Sequence, residues 1–328
     1  MNRAGFIISR RSQAGLGGYP GGSPEGAGGM SDDKLMDCIR ETVYENRYPT
    51  GLKIKATRGG LIAFDFTGIC GFLSPEEVDV RKKKDESWSL ARLNARVPIG
   101  DAFNAYLACL NGALKKSGKI RELECVHNNR LTEVSASLEP IYTIQYPLED
   151  MRRRHEVISV EHIKSAADSL EVLLNHKDQD VIKLISLYNW AVASLGQLDF
   201  ARSLITSWAI VERLMNVIWG QFILQNSENS PSRTLSPPTS GKRAEKLKAN
   251  TMTAAIRIEI LAIANLLTEH EYKYIEQSRK ARNHWIHSLD DVTFDEAMYT
   301  AYVAALLIKR LYAVTLQTKY EAFGSWSS

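Results

Sequence analysis

Cysteine is scarce in this 328-residue chain. Cys38, Cys70, Cys109 and Cys125 stand far apart with no CxxC pair, which removes the ligand spacing of a zinc finger and the motif of a dithiol redox enzyme. Reduced thiols in a cytoplasmic protein are the expectation. Long apolar runs are missing too, so no transmembrane helix and no membrane partner are expected. There is little excess charge of either sign. The formal net charge of +3 is too small for a generally basic nucleic-acid coat, so any polyanion site must be a local cluster. The phosphate-cradling GxxxxGK[ST] loop, the GxGxxG turn, the GxSxG elbow and the HExxH helix are also absent, and with them the chemistry each one carries. No carboxylate or histidine cluster dense enough for a catalytic metal stands out, and no cofactor is expected.

What is present is the composition of an ordinary folded protein, 44% hydrophobic and 24% charged, in a chain long enough for two domains. The first thirty residues differ from the rest. They hold nine of the 21 glycines, run through GLGGYPGGSPEGAGG and end at Met30, which reads as a disordered leader. Phe6 to Ile8 is too short for the apolar core of a secretory signal, although Arg3, Arg10 and Arg11 superficially suggest targeting. Translation starting at Met30 accounts for the segment equally well. The following SDDKLMDCIRE carries a helix-start signal.

Residues 31 to 150 read as an α+β N-terminal domain. The alternation in LKIKATRGGLIAFDF, 52 to 66, about an Arg-Gly-Gly turn predicts a hairpin, and 123 to 138 predicts another about Asn128-Asn129. Asp101 is placed to cap a helix whose Phe103, Leu107, Leu110 and Leu114 share a face and whose end falls at Gly118. YTIQYPL, 142 to 148, is the last expected strand. RKKKDE, 81 to 86, reads as an exposed loop. Arg152-Arg153-Arg154-His155, a charge run at the domain junction, reads as a solvated helix start that could also touch RNA backbone.

After Pro147 the apolar period changes to that of helices. Residues 160 to 174, 180 to 198, 200 to 224, 253 to 287 and 294 to 320 all show it, as in Leu204, Trp208, Val211, Met215 and Ile218. The expected architecture for 151 to 322 is an all-α bundle, and the chain is predominantly helical overall. One gap interrupts the bundle: 226 to 250, with three prolines and few apolar residues, predicts a mobile loop or lid.

The segment EQSRKARNHWIHSLDD, 276 to 291, concentrates arginine, lysine, asparagine and histidine around a tryptophan. Arginine presents a permanent planar cation suited to phosphate, histidine moves protons near neutral pH, and asparagine orients either. Together these suit RNA cleavage without a metal, in which a base takes the ribose 2′-hydroxyl proton and a cation stabilises the phosphoryl oxygens. On an ideal helix Asn283 and His287 lie about 40° apart, whereas Arg282 and His287 diverge by about 140°. For both to meet one phosphate, the helix must begin or distort near them, or a second copy of the chain must complete the site. The second route is favoured here. The plain alternative for Arg279, Lys280 and Arg282 is a cationic last turn that complements the helix dipole. Trp285 and Ile286 are expected in the core.

Arg282-Asn283-His284-Trp285-Ile286-His287 resembles the R-x(4 to 6)-H signature of the HEPN superfamily, with the polar residue that often follows the arginine. The helix LITSWAIVERLMNVIW is similar to the HEPN helix that bears an acidic residue amid apolar ones, which makes Glu212 its counterpart. The likeness covers about 155 to 320. Arg121 to His127 and Arg279 to His284 fit the bare spacing as well, without the asparagine.

The resemblance leaves the α+β N-terminal domain unexplained; for the C-terminal half it implies an HEPN-like bundle acting as a metal-independent endoribonuclease, in phage defence or as a toxin. Arg282 would hold the scissile phosphate, His287 would move the proton and Asn283 would orient them. Glu212 would position Arg282, with His284 and Arg279 auxiliary. RNA, a second copy in a homodimer, and an antitoxin or defence-system protein are the implied partners. The rival is a non-catalytic module of the same fold that binds RNA or protein, with the N-terminal domain as sensor.

Overall fold

The computed structural model describes residues 5–8, 15–16, 41–58, 62–69, 71–72, 88–116, 131–133 and 157–318, apart from 179, 228–229, 232, 236–237, 240 and 249–251. They form two compact units, Met1–Ser186 and Leu187–Ser328.

The first unit is built on an antiparallel sheet of β1 (Gly5–Ile8), β3 (Thr42–Arg47), β4 (Lys53–Thr57), β5 (Ile62–Asp65) and β6 (Leu131–Glu133), in the order β3-β4-β5-β1-β6. A two-residue β2 (Gly15–Leu16) pairs in parallel with β7 (Val157–Ile158). The hairpin predicted at 52 to 66 is β4 against β5, with Ile54 opposite Phe64. The leader departs from its expected disorder at two places, Gly5–Ile8 and Gly15–Leu16. Phe6 and Ile7 supply the aromatic and β-branched character that favours a pleated strand, and they pair with Phe64 and Ala63 of β5. Of the second predicted hairpin only 131–133 is described, and it pairs with β1 rather than with a neighbour in sequence. The expected strand at 142 to 148, the loop at 81 to 86 and the charge run at 152 to 155 lie outside the described residues.

Alternation along β4 buries Ile54 and Ala56, while β5, inside the sheet, is buried throughout. Helix α1 (Trp88–Lys116) lays Phe103 and Tyr106 edge-on to Phe64, at ring-centroid distances of 4.6 and 4.9 Å. Asp101 was expected to cap this helix. Instead the helix starts at Trp88, passes through Pro98, and leaves Asp101 inside it, accepting a 2.7 Å hydrogen bond from the Ser186 hydroxyl. The Phe103, Leu107, Leu110 and Leu114 face is buried as predicted.

Between β3 and β4 the chain reverses through Gly51 at φ +98°, a left-handed position that suits glycine. Helix α2 (Val160–Leu174) holds this turn. Tyr48 donates to Asp168 at 2.9 Å, and the Thr50 amide and hydroxyl both donate to Glu171. Because α2 packs on α1 and on β3, the first compact unit reaches past the boundary expected near 150, ending within α3 (Val181–Gly196).

In the second unit α4 (Phe200–Gln225) buries Leu204, Trp208, Val211, Met215 and Ile218, the predicted stripe. It packs on α7 (Glu269–Ser288) and α8 (Phe294–Tyr312), with α6 (Ala254–Ile263) beside it. The single helix expected over 253 to 287 is therefore two helices. Asn265 takes a left-handed conformation at φ 54°, and Thr268 with Glu271 forms a capping box that starts α7 afresh. Similarly, α8 stops at left-handed Ala313 rather than near 320.

The expected mobile segment at 226 to 250 is tied down in its described part. Asn226 is buried, and its Oδ1 accepts from the Thr234 amide and hydroxyl and from the Leu235 amide at 2.9 to 3.0 Å. Thr239 returns to the Asn226 and Ile223 carbonyls. Helix α5 (Gly241–Lys248) is fastened through the Trp219 indole, which donates to the Leu247 carbonyl at 3.0 Å. The segment stays near α4 through buried polar contacts, not through the apolar residues it lacks. Among the described residues no helix is long and apolar enough to cross a membrane.

Candidate functional site

Helix α7 carries the whole basic cluster. It begins with the Thr268/Glu271 capping box and runs unbroken to Ser288, where Leu289 ends it in a left-handed conformation and returns its amide to the Trp285 carbonyl. The helix neither begins nor distorts at the motif. The roughly 140° divergence of Arg282 and His287 on an ideal helix therefore applies to this chain.

The packed side of α7 is marked by Glu271, Ile275, Ser278 and Ala281. Arg282 falls about 20° from Ile275 around the helix axis, and His287 falls about 180° from Ser278. The burial agrees, since Arg282 is half-buried and His287 is exposed. Arg282 Nη1 donates to Asn283 Oδ1 at 2.9 Å, so the asparagine meets the arginine directly. His287 makes no hydrogen bond or ion pair among the described residues, and its ring is open to solvent.

The auxiliary residues fall out differently. Glu212 is exposed on α4 and forms no ion pair with Arg282. On an ideal helix it lies about 40° past Trp208, at the edge of the buried stripe rather than on the far side of the helix. Arg279 is engaged on its own helix, where Nε and Nη2 donate to the two carboxylate oxygens of Glu276 at 2.8 and 2.9 Å. These bonds hold the Glu276 carboxyl below its ordinary pKa and push Arg279 higher. His284 Nε2 lies 3.1 Å from Asp290 Oδ2, both side chains largely exposed. Trp285 and Ile286 were expected in the core, but Trp285 is half-buried and Ile286 is 40% exposed. The α7–α8 turn that follows leaves their end of the helix uncovered, and Leu289 is exposed there as well.

The site is thus a half-buried guanidinium braced by an amide, and a free imidazole on the opposite side of one regular helix. Among the described residues no three His, Cys, Asp or Glu side chains lie grouped to hold a metal ion.

A second feature of α7 lies outside the basic cluster and is not predicted from the spacing of the motif. His270, Tyr274, Tyr299 and Tyr302 gather on α7 and α8 with ring centroids 4.6 to 5.7 Å apart. The i, i+4 pair His270/Tyr274 and the i, i+3 pair Tyr299/Tyr302 were the available signals. No family model matches the chain, and neither a curated protein nor a solved structure matches it.

Proposed function

We propose that the C-terminal unit is a metal-independent endoribonuclease whose site is completed by pairing two copies of the chain. The observation that carries this reading is the disposition on α7. Arg282 and Asn283 are joined by a hydrogen bond, His287 is free and exposed, and an unbroken helix keeps arginine and histidine about 140° apart. Within one chain the pair does not converge on one phosphate. A two-fold partner, the commonest oligomer symmetry, supplies the missing half.

In the proposed reaction His287 takes the proton from a ribose 2′-hydroxyl, whose oxygen attacks the adjacent phosphorus. Arg282, held by Asn283, stabilises the charge on the phosphoryl oxygens. The bond from phosphorus to the 5′-oxygen breaks, and that oxygen takes a proton as it leaves. The products end in a 2′,3′-cyclic phosphate and a 5′-hydroxyl. DNA, which lacks the 2′-hydroxyl, stays intact. Toxin action or phage defence fits such an activity, with an antitoxin or defence-system protein as partner and the N-terminal unit as sensor.

A second reading rests on Arg282 lying toward the packed side of α7. There it serves the fold, and the unit binds RNA or a protein without cutting. Incubating purified protein with mixed RNA in EDTA separates the two readings. Cleavage by the natural chain and none by Arg282→Ala supports the nuclease, whereas intact RNA in both supports the binding module.

A further inference from the structure

Tyr274 stands at the centre of the aromatic group. It meets His270 edge to face at 4.6 Å, Tyr302 at 5.6 Å and 75°, and Tyr299 at 5.1 Å and 39°. His270 also meets Tyr302, at 5.7 Å and 85°. The rings brace one another but are not buried, since all three tyrosines are half-exposed and His270 is exposed.

Unpartnered hydroxyls on half-exposed rings separate this group from the other described tyrosines; the Tyr106 hydroxyl is unpartnered too, but it is fully buried. Tyr44 bonds to Tyr48, which bonds to Asp168, Tyr188 bonds to the Gln317 carbonyl, and Tyr272 bonds to Glu259. Those tyrosines hold the fold together. Among the described residues the hydroxyls of Tyr274, Tyr299 and Tyr302 bond to nothing, and only their rings are engaged. An edge-to-face contact leaves the faces of one ring uncovered by its neighbour, so the group offers flat π surface to solvent.

Two exposed cations are placed where phosphates of a strand lying on the rings would pass. Lys273 precedes Tyr274 and is exposed, and exposed Lys309 lies two turns beyond Tyr302 on nearly the same side of α8, about 10 Å along the axis. Glu269, next to His270, and Asp295, one turn before Tyr299, are the exposed acids beside the group. The Glu271 carboxylate is already occupied by the Thr268 cap and by Arg310 at 3.1 Å.

From this we infer that His270, Tyr274, Tyr299 and Tyr302 form a stacking platform for the unpaired bases of a single-stranded nucleic acid, with Lys273 and Lys309 meeting its phosphates. The combination of aromatic rings and cations along a backbone path is the general means of holding single strands without reading their sequence. The inference deepens the RNA reading above and rests on it, because the platform would hold the strand that Arg282 and His287 act on. Stacking is indifferent to the sugar, so the platform takes single-stranded DNA as well as RNA, although only RNA can be cut.

That difference gives the test. Binding of a fluorescein-labelled 12-nucleotide oligo-dA is followed by anisotropy, a readout no 2′-hydroxyl chemistry touches. The natural chain should bind it, more weakly as salt rises, and should not bind the same strand in a duplex. Tyr302→Ala and Tyr274→Ala should each weaken binding about 5- to 150-fold, the range for losing one stacked base. Tyr302→Phe, which keeps the ring, should bind as the natural chain does and so control for folding. Alanine variants that bind oligo-dA normally, or a folded natural chain that does not bind it, would overturn the platform. So would loss of self-association in the alanine variants with oligo-dA binding intact, which would make the surface a protein interface. RNA cleavage that persists with the platform disabled sinks the inference and leaves the nuclease reading standing.

Discussion

Replacing Asn226 by alanine tests whether 226 to 250 is fastened to the bundle. Four side-chain hydrogen bonds disappear: three into Oδ1, from the Thr234 amide and hydroxyl and the Leu235 amide, and one from Nδ2 to the Phe222 carbonyl. A typical intramolecular hydrogen bond contributes about 0.5 to 1.5 kcal/mol net. Thr234 is exposed, so its two donors can turn to water and count at the low end. The Leu235 amide is half-buried and counts at the high end, whereas the Phe222 carbonyl keeps its bond from the Asn226 backbone amide and counts at the low end. The sum is about 2 to 3 kcal/mol. Urea unfolding of the Asn226→Ala protein should lose that much in the transition of the second unit. Limited proteolysis of the folded protein should cut between 226 and 250 faster than in the natural chain. A loss under about 0.5 kcal/mol, with an unchanged cleavage rate, would show that Asn226 does not hold the segment.

Three further outcomes follow from the geometry. Cys109 is buried, and burial pushes its thiol up to about 12, so it should resist iodoacetamide in the folded protein and react only in denaturant, as mapped by peptide mass spectrometry. Burial raises the Asp101 carboxyl above its ordinary value, against the Ser186 hydrogen bond and Lys183. An acid whose pKa is higher folded than unfolded gives stability that grows as pH falls through the folded value and is complete below the unfolded value of about 3.9. Asp101→Asn, which keeps the acceptor for Ser186, should be more stable than the natural chain at neutral pH, with the gap closing toward about pH 4 in urea titrations. A gap that ignores pH would contradict it. Glu212→Ala should change RNA cleavage less than about twofold, because Glu212 is exposed and not paired with Arg282; a large loss would restore its positioning role.

Periodicity made much of the second unit legible. The stripe from Leu204 to Ile218 is buried as its spacing demands, and the pairing of β4 with β5 follows from the alternation on either side of Gly59-Gly60 in the sequence. Features that depend on distant partners were not legible. Asp101 resembles a cap because it precedes an apolar face, yet a helix already under way from Trp88 passes through Pro98 and continues. The composition of 226 to 250 suggests mobility because its anchors are hydrogen bonds to a buried asparagine, which leave no apolar trace. At the candidate site the spacing correctly set Arg282 and His287 on different sides of a helix. The exposure of Glu212 was less legible, since its position lies only about 40° past buried Trp208, at the edge of the stripe. The aromatic group on α7 and α8 joins residues some 25 positions apart, and only the pairing of the two helices reveals it.

Mixing two inactive variants tests the central claim most directly. Arg282→Ala and His287→Ala chains, each alone, should not cut RNA in EDTA. Co-refolded in equal amounts, about half of the dimers should contain one chain of each kind, and each of these holds one site with both Arg282 and His287 intact. The account predicts that RNA cleavage returns to about a quarter of the natural rate, with 2′,3′-cyclic phosphate ends and no cutting of DNA. A mixture as inactive as its components, while the natural chain cuts RNA under the same conditions, would contradict a site shared between two copies.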